Sequence, residues 1–149
     1  MKNARLMFGV MLGLALLLSS AEAAGKKRTL PELKPDQVKR LEDACPAKAT
    51  AKPKKERRVL VFWRCDGFFH KAGIQWGNKA IEILGKKTGA YATDISVDLA
   101  VFTAENLAKY DAVIFNNSTR LKISKDSCDA LLAFVEGGKG LVGIHAATD

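Results

Sequence analysis

The sequence predicts an α/β domain built on a doubly wound parallel sheet. Three observations support this prediction: short apolar runs rich in β-branched residues, segments with helical periodicity between them, and capping residues or glycines where one element gives way to the next. Strands and helices that alternate in this way form parallel sheets with right-handed crossovers. By analogy with flavodoxin-like sheets we expect the strand order 2-1-3-4.

Residues 1–23 have the organisation of a secretory signal peptide. Lys2 and Arg5 precede an apolar stretch over residues 6–18, and small residues then lead to a cleavage site after Ala23. The stretch is shorter than the roughly 20 residues that span a bilayer. We therefore expect an exported protein, periplasmic or secreted, without a membrane span after cleavage. An uncleaved membrane anchor is the alternative.

Residues 24–58 form a predicted basic linker. Residues 25–58 hold twelve Lys or Arg and five Asp or Glu, whereas residues 59–149 hold ten of each. The formal net charge of +8 thus lies mostly outside the predicted domain, which argues against nucleic acid as a partner. A weak helical period opens at Pro35 and predicts a short helix. The basic stretch after it is either solvated or in contact with an anionic membrane surface.

The predicted domain covers residues 59–149, beginning with an apolar strand from Val59 to Trp63. The helix that follows carries one apolar face with the spacing i, i+3, i+4 and i+7, and two glycines bracket its end. That face consists of Gly77, Ala80, Ile81 and Leu84, and the bracketing glycines are Gly85 and Gly89.

A second strand over residues 91–97 alternates polar and apolar side chains and is expected near a sheet edge. Thr103 caps a short helix that runs to Tyr110, and Asp111 opens the third strand, residues 112–115. Ser124 caps the last helix, which ends at Gly137-Gly138. Its predicted buried face consists of Cys128, Leu131, Leu132 and Val135.

The fourth strand follows Gly140 and stops at His145. Its continuous apolar run predicts a strand covered on both faces. No helix follows it, so we expect an N-terminal fragment of a longer domain that leaves apolar surface exposed.

The three cysteines are an odd number for an exported chain. Cys128 is expected to be a small core residue on the last helix. A Cys45–Cys65 disulfide is one possible pairing.

Polar residues follow three of the predicted strands. Because parallel strands end at one edge of a sheet, these residues should share that edge. They are Asp66 and His70 after the first strand, Asn116, Asn117 and Thr119 after the third, and His145 and Asp149 after the fourth. Both histidines of the chain are among them, and histidine changes charge most readily near neutral pH.

Each of these residues also has a structural interpretation. The asparagines could satisfy loop backbone groups, His145 could be a hydrogen-bonded core residue, and Asp149 could cap a further helix. Phe68 and Phe69 are expected as core cover beneath the loop, with a ligand platform as the alternative. No cofactor is predicted; a divalent metal held by His70, His145 and Asp149 is a weak option without a local spacing signature.

With these residues in view, the chain resembles the ThuA-like (trehalose utilisation) family, within the class I glutamine amidotransferase-like fold. The resemblance covers residue 59 to the end. Its matching stretches are Val59-Leu-Val-Phe-Trp, Gly67-Phe-Phe-His, residues 102–117, and Gly137-Gly-Lys-Gly-Leu-Val-Gly-Ile-His-Ala-Ala-Thr-Asp149.

The resemblance implies a carbohydrate-related function. Amidotransferases of this fold carry a nucleophilic cysteine at a tight turn, and His145 stands at the corresponding position here, so glutamine hydrolysis is not expected. A sugar or oxidised disaccharide is the expected ligand. His145 would be general acid or base, Asp149 would orient it, and His70 with Asn116 or Asn117 would hold hydroxyl groups. A non-catalytic carbohydrate-binding or interaction module is the alternative.

Overall fold

The computed structural model describes residues 28–147 and Asp149. The predicted signal peptide, residues 1–23, lies outside the described residues. No helix within the described ranges is long and apolar enough to cross a membrane.

Four strands and three α-helices follow the predicted order, and one further helix precedes them and packs against the first of the three. They are α1 Pro35–Ala44, β1 Arg58–Phe62, α2 Lys71–Thr88, β2 Ala92–Ser96, α3 Ala104–Leu107, β3 Ala112–Asn116, α4 Lys125–Glu136 and β4 Gly140–Ile144, with a 3₁₀ turn at Leu99–Val101.

All strand pairs are parallel, in the order β2-β1-β3-β4. The predicted fold class and strand order are therefore confirmed, and β2 lies at an edge as expected. The carboxyl ends of β1, β3 and β4 lie next to one another at one edge of the sheet.

The two faces of the sheet have separate apolar clusters. On one face, Leu60, Phe62 and Phe115 pack with Phe134 of α4. Neighbouring residues of a strand point to opposite faces, so Asn116, which follows Phe115, faces α2 on the other side of the sheet. There, Trp63 and Cys65 pack with Ile74 of α2. Helices thus cover both faces, as the doubly wound class requires.

The predicted helix caps at the starts of α3 and α4 and the predicted glycine at the end of α2 are present in the structure. The hydroxyl oxygens of Thr103 and Ser124 accept hydrogen bonds from the backbone N–H groups of Asn106 and Ser127, at the starts of α3 and α4. Gly89 ends α2 in the left-handed conformation, with φ of 64°. Helix α3 ends at Leu107, earlier than predicted, because Tyr110 already turns back and donates its N–H to the Leu107 carbonyl.

Gly85 was expected to bracket the end of α2 but lies buried inside it. The ring and carbonyl of Tyr91 approach so closely that a Cβ at position 85 would lie 2.6 Å from them. The residue is therefore a close-packing glycine rather than a helix stop.

The predicted buried face of α4 is right for Leu131 and wrong for its other three residues, Cys128, Leu132 and Val135. Phe134 is the buried residue, with Ala130 and Leu131 packed beside it, whereas Leu132 is 58% exposed and Cys128 is exposed. The buried face is shifted toward Phe134 because this large aromatic ring packs in the same core cluster as Phe62 and Phe115.

Strand β4 is not covered on both faces by the described residues, so the cover expected in a longer domain stays a prediction. In the described residues it is an edge strand, and Leu141 is 52% exposed. The exposed apolar surface expected there is present.

The residues before β1 contact helix α2 and the loop after β1. Arg28 donates to the Gly67 carbonyl, Gln75 of α2 donates to the Pro31 carbonyl, and α1 packs against α2. Residues 46–57 have no regular secondary structure. Cys45 and Cys65 are not bonded to each other.

The carboxylate of Asp111 forms ion pairs with basic residues at the amino-terminal edge of the sheet. Lys55 and Arg57 lie 3.0 and 2.9 Å from its carboxylate, and the backbone N–H of Arg58 donates to it at 3.1 Å. The Lys55 ammonium first, then the Arg58 N–H and the Arg57 guanidinium, hold the pKa of Asp111 well below its usual range. This edge is opposite the one that carries the candidate site.

Candidate functional site

His145 occupies a tight turn at the end of β4. Its backbone is left-handed, with φ of 55°, and its side chain is exposed. The turn is compact, since a Cβ at Gly143 would lie 3.2 Å from the Cβ of Ala147. A non-glycine residue in this conformation is strained, and such strain is found most often at functional sites. His145 belongs to neither apolar cluster of the described residues.

His70 meets His145 from the other side of the edge. It is the N-cap residue of α2, and its ring centroid lies 4.6 Å from that of His145 with 76° between the ring planes. The ring of Phe68 contacts the other side of His70, with 4.7 Å between centroids. The two predicted histidines are therefore brought together, in a row of three rings.

Thr119 fixes the loop that carries His70. Its carbonyl accepts hydrogen bonds from the N–H groups of Asp66 and Gly67, at 2.9 and 3.3 Å. Its hydroxyl donates to the Phe68 carbonyl at 2.8 Å. Thr119 is itself 1% exposed, so the structure uses it as an internal support of the loop.

Asn116 and Asn117 form part of a buried chain of amides. Asn116 donates from Nδ2 to the Ile74 carbonyl at 3.1 Å and to Oδ1 of Asn78 at 2.8 Å. Asn117 donates from Nδ2 to Oδ1 of Asn116 at 2.8 Å. Asn116 is fully buried, and these contacts occupy both of its donor hydrogens. Substrate binding by either asparagine stays a prediction.

Asn117 also links two strand ends. Its backbone is left-handed, with φ of 56°, its N–H donates to the Ile144 carbonyl at 3.2 Å, and its carbonyl accepts from the Cys65 thiol at 3.1 Å. The residue therefore positions the turn that carries His145.

The two predicted carboxylates are placed differently. Asp66 forms an ion pair with Arg64, with 3.0 Å between Oδ1 and Nε. Asp149 is exposed and is held by its backbone: its N–H donates to the Ala146 carbonyl, and its carbonyl accepts from the N–H of Arg120. No hydrogen bond joins its carboxylate to His145 within the described residues, so the orienting role stays a prediction.

The metal option also stays untested. The described residues contain no group of three or more His, Cys, Asp or Glu side chains placed to hold an ion. His70 and His145 on their own would supply two imidazole ligands.

Sequence reasoning missed Asn78 and Arg120. Asn78 lies one residue after Gly77 and accepts the hydrogen bond from Asn116; the paired glycines Gly73 and Gly77 were the available signal, because each faces one of the two asparagines. Arg120 has φ of 46° and lays its aliphatic chain against Gly67. In the sequence, only its position directly after the predicted site residue Thr119 indicated that Arg120 lies near the site.

A separate cavity of about 340 Å³ lies between the amino-terminal segment and α2. None of the predicted site residues lines it. Its walls are formed by Leu30, Pro31, Glu32, Leu33, Val38, Gln75, Asn78, Lys79, Glu82 and Ile95.

The family model for ThuA, described as trehalose utilisation, matches residues 58–149, which is more than half of the chain. The chain belongs to the ThuA family. The match contains all seven predicted site residues, and it supports a carbohydrate-related role at the level of the family.

Among solved structures, the chain is similar to a ThuA-like protein from Bacteroides uniformis, with 22% sequence identity and a TM-score of 0.48. The similarity covers 66% of this chain and 40% of that protein. The chain therefore spans less than half the length of this ThuA relative. A search of curated proteins found no match.

Proposed function

We propose that the domain binds a sugar or an oxidised disaccharide at the carboxyl edge of its sheet and processes it by acid–base chemistry at His145. The observation that carries the proposal is the pairing of His70 with His145, 4.6 Å between ring centroids, at a strained turn in a ThuA domain. Imidazole accepts and donates protons near neutral pH, which is what a general acid or base requires.

The surrounding residues have distinct parts in this proposal. His70 binds a sugar hydroxyl beside the reacting group. Asp149 is close in sequence and exposed, so its carboxylate orients His145 once a ligand orders the site. Asn116, Asn117 and Thr119 support the turn and the loop from beneath, and Asp66 is neutralised by Arg64.

Glutamine hydrolysis does not fit this site. The reaction needs a thiolate at the turn after the strand, and the turn holds His145. Cys65 is buried and donates its hydrogen to the Asn117 carbonyl, and Cys128 lies on the surface of α4. We also propose export, on the basis of the signal-like residues 1–23.

A non-catalytic sugar-binding module is the second candidate. It is favoured by the exposed ring of Phe68, which lies beside the histidine pair with 4.7 Å between its centroid and that of His70. A histidine pair beside an aromatic ring would then serve recognition alone.

Substitution of His145 distinguishes the two. His145→Gln keeps a hydrogen-bonding amide but cannot shuttle a proton, and His145→Asn does the same with a residue that tolerates the left-handed backbone better. Trehalose and its keto form would be tested by calorimetry for binding and by chromatography for product.

The catalytic proposal expects both variants to lose product formation by at least about a hundredfold while retaining measurable binding. Binding without any product from the wild type would favour the module. If trehalose and its keto form neither bind nor react, the assigned ligand class is wrong.

A further inference from the structure

Phe68 is an exposed aromatic residue on a fixed loop. Its side chain is 71% exposed. Its carbonyl accepts the hydrogen bond from the Thr119 hydroxyl at 2.8 Å, and the preceding N–H of Gly67 is bonded to the Thr119 carbonyl. The backbone that carries the ring is therefore held by Thr119, in the segment that follows β3, and the ring is exposed to solvent at a defined position.

Its neighbour Phe69 behaves differently. The Phe69 ring stacks on Trp63, with 6.2 Å between centroids and 25° between planes, and the Arg28 guanidinium covers it at 4.9 Å. The sequence expectation of core cover is thus confirmed for Phe69 and wrong for Phe68. Core packing accounts for one of the two consecutive phenylalanines and leaves the other without an internal partner large enough to bury it.

The direction in which Phe68 lies is informative. The centroid of its ring lies 4.7 Å from that of the His70 ring, and the His70 centroid lies 4.6 Å from that of His145. The exposed ring thus stands at the end of the row that leads to the proposed acid–base residue. An exposed aromatic side chain at this place adds an apolar surface to a site otherwise made of imidazole, amide and carboxylate groups.

We propose that Phe68 is a stacking platform for the C–H face of a pyranose ring, and that it selects cyclic sugars over open-chain polyols. The proposal rests on the proposed function, because it assigns a role to a residue of the same site. The face of an aromatic ring carries a negative quadrupole, which attracts the weakly positive C–H groups of a sugar ring. The sugar hydroxyls project sideways from such a stack, toward His70 and His145.

The specificity follows from shape. A pyranose presents several C–H groups on one side of a rigid ring, so they contact an aromatic face together. An open-chain polyol has the same hydroxyl groups but must freeze several torsions to present a comparable surface. Phe68 should therefore contribute to binding of the ring form and little to binding of the open chain.

The test uses trehalose and sorbitol as probes of the full-length wild type and of variants at position 68. Phe68→Ala removes the platform, Phe68→Leu keeps an apolar side chain without a flat face, and Phe68→Trp enlarges the face. Leu132→Ala is the matched control, since Leu132 is 58% exposed on α4, away from the site. Circular dichroism checks that each variant keeps the wild-type fold.

For the wild type we expect trehalose to bind more tightly than sorbitol, and its ring C–H protons to receive saturation when aromatic protein protons are irradiated. Phe68→Ala and Phe68→Leu should each weaken trehalose binding about tenfold and reduce the saturation transfer to the ring C–H protons, leaving only what the imidazole protons of His70 and His145 supply. Phe68→Trp should preserve both. Leu132→Ala should bind as the wild type does.

Two results separate this inference from the proposed function. If trehalose binds, depends on His145, and binds Phe68→Ala and Phe68→Leu with wild-type affinity, stacking is wrong and the proposed function stands. If the wild type binds neither trehalose nor its keto form, both are overturned.

Discussion

Gly77 of α2 lies directly against the side-chain amide of Asn116 at the end of β3: a Cβ at position 77 would lie 2.7 Å from Asn116 Nδ2 and 2.9 Å from Oδ1. Gly73, one helical turn earlier, faces Asn117 at the larger distance of 3.5 Å. The helix can approach the strand ends this closely because its contact residues lack side chains.

This difference predicts opposite effects for the same substitution. Gly77→Ala should destabilise the domain by about 1–3 kcal/mol, because the methyl group displaces a buried and fully bonded amide. Gly73→Ala should be neutral or stabilising by up to about 1 kcal/mol, because alanine favours the helix and its methyl group meets Asn117 at ordinary contact distance. Urea unfolding gives the change in the free energy of unfolding for each variant. Equal changes would contradict the difference in distance between the two glycines and their asparagines.

The amide chain itself predicts a pH-dependent variant. Asn116→Asp has nearly the same shape but, when ionised, places carboxylate oxygen against the Ile74 carbonyl and Oδ1 of Asn78, which both need a donor. We expect a loss of several kcal/mol at pH 7, which shrinks as the pH falls because the protonated carboxyl group regains one donor.

A matched control for that variant lies on the surface of the domain. Asn106 donates to the Val101 carbonyl, and its Oδ1 accepts from the Lys109 ammonium at 3.1 Å. Asn106→Asp should cost less, because the new charge has a cationic partner. A larger loss for Asn106→Asp than for Asn116→Asp would refute the structural role of the amide chain.

Local chemistry explains what the sequence predicted correctly. Strand positions, the caps Thr103 and Ser124, and the left-handed glycine at 89 depend on a few adjacent residues. The alternation of strands and helices predicts parallel strands with right-handed crossovers, whereas the strand order came from the analogy with flavodoxin-like sheets. The same rule placed His70 and His145 at one sheet edge, although it could not say that their rings touch.

The errors concern contacts between elements. The buried face of α4 was predicted only in part, because Phe134 lies outside the leucine periodicity and yet is the residue of this helix that is buried in the core. Hydrogen bonds such as that from Asn116 to Asn78 join distant parts of the chain, so no local pattern reveals them.

The basic cluster around Asp111 predicts how stability depends on pH. Its pKa is lowered by Lys55, the Arg58 N–H and Arg57, and that of Asp94 is lowered chiefly by its hydrogen bond with Arg58. A lowered carboxyl pKa stabilises the fold at every pH above the unfolded value of about 3.9, and the contribution disappears as the pH falls from there through the folded value.

Asp111→Asn should therefore lower stability at pH 7 and flatten its decline below pH of about 4. Urea midpoints measured from neutral to acidic pH give both quantities. Asp43→Asn is the control, because Asp43 makes only an exposed i,i+4 ion pair with Lys39. Parallel pH curves for the wild type and Asp111→Asn would show that the cluster does not couple to folding.

Helix α4 offers the most direct test of which face is buried. Phe134→Ala should cost about 3–5 kcal/mol, because it empties a site among Phe62, Phe115 and their neighbours. Leu132→Ala and Cys128→Ala should stay within about 0.5 kcal/mol of the wild type, because both side chains are exposed. Chemical unfolding ranks the three. If Leu132→Ala were as costly as Phe134→Ala, Leu132 would be packed in solution and α4 would not bury the face that carries Phe134.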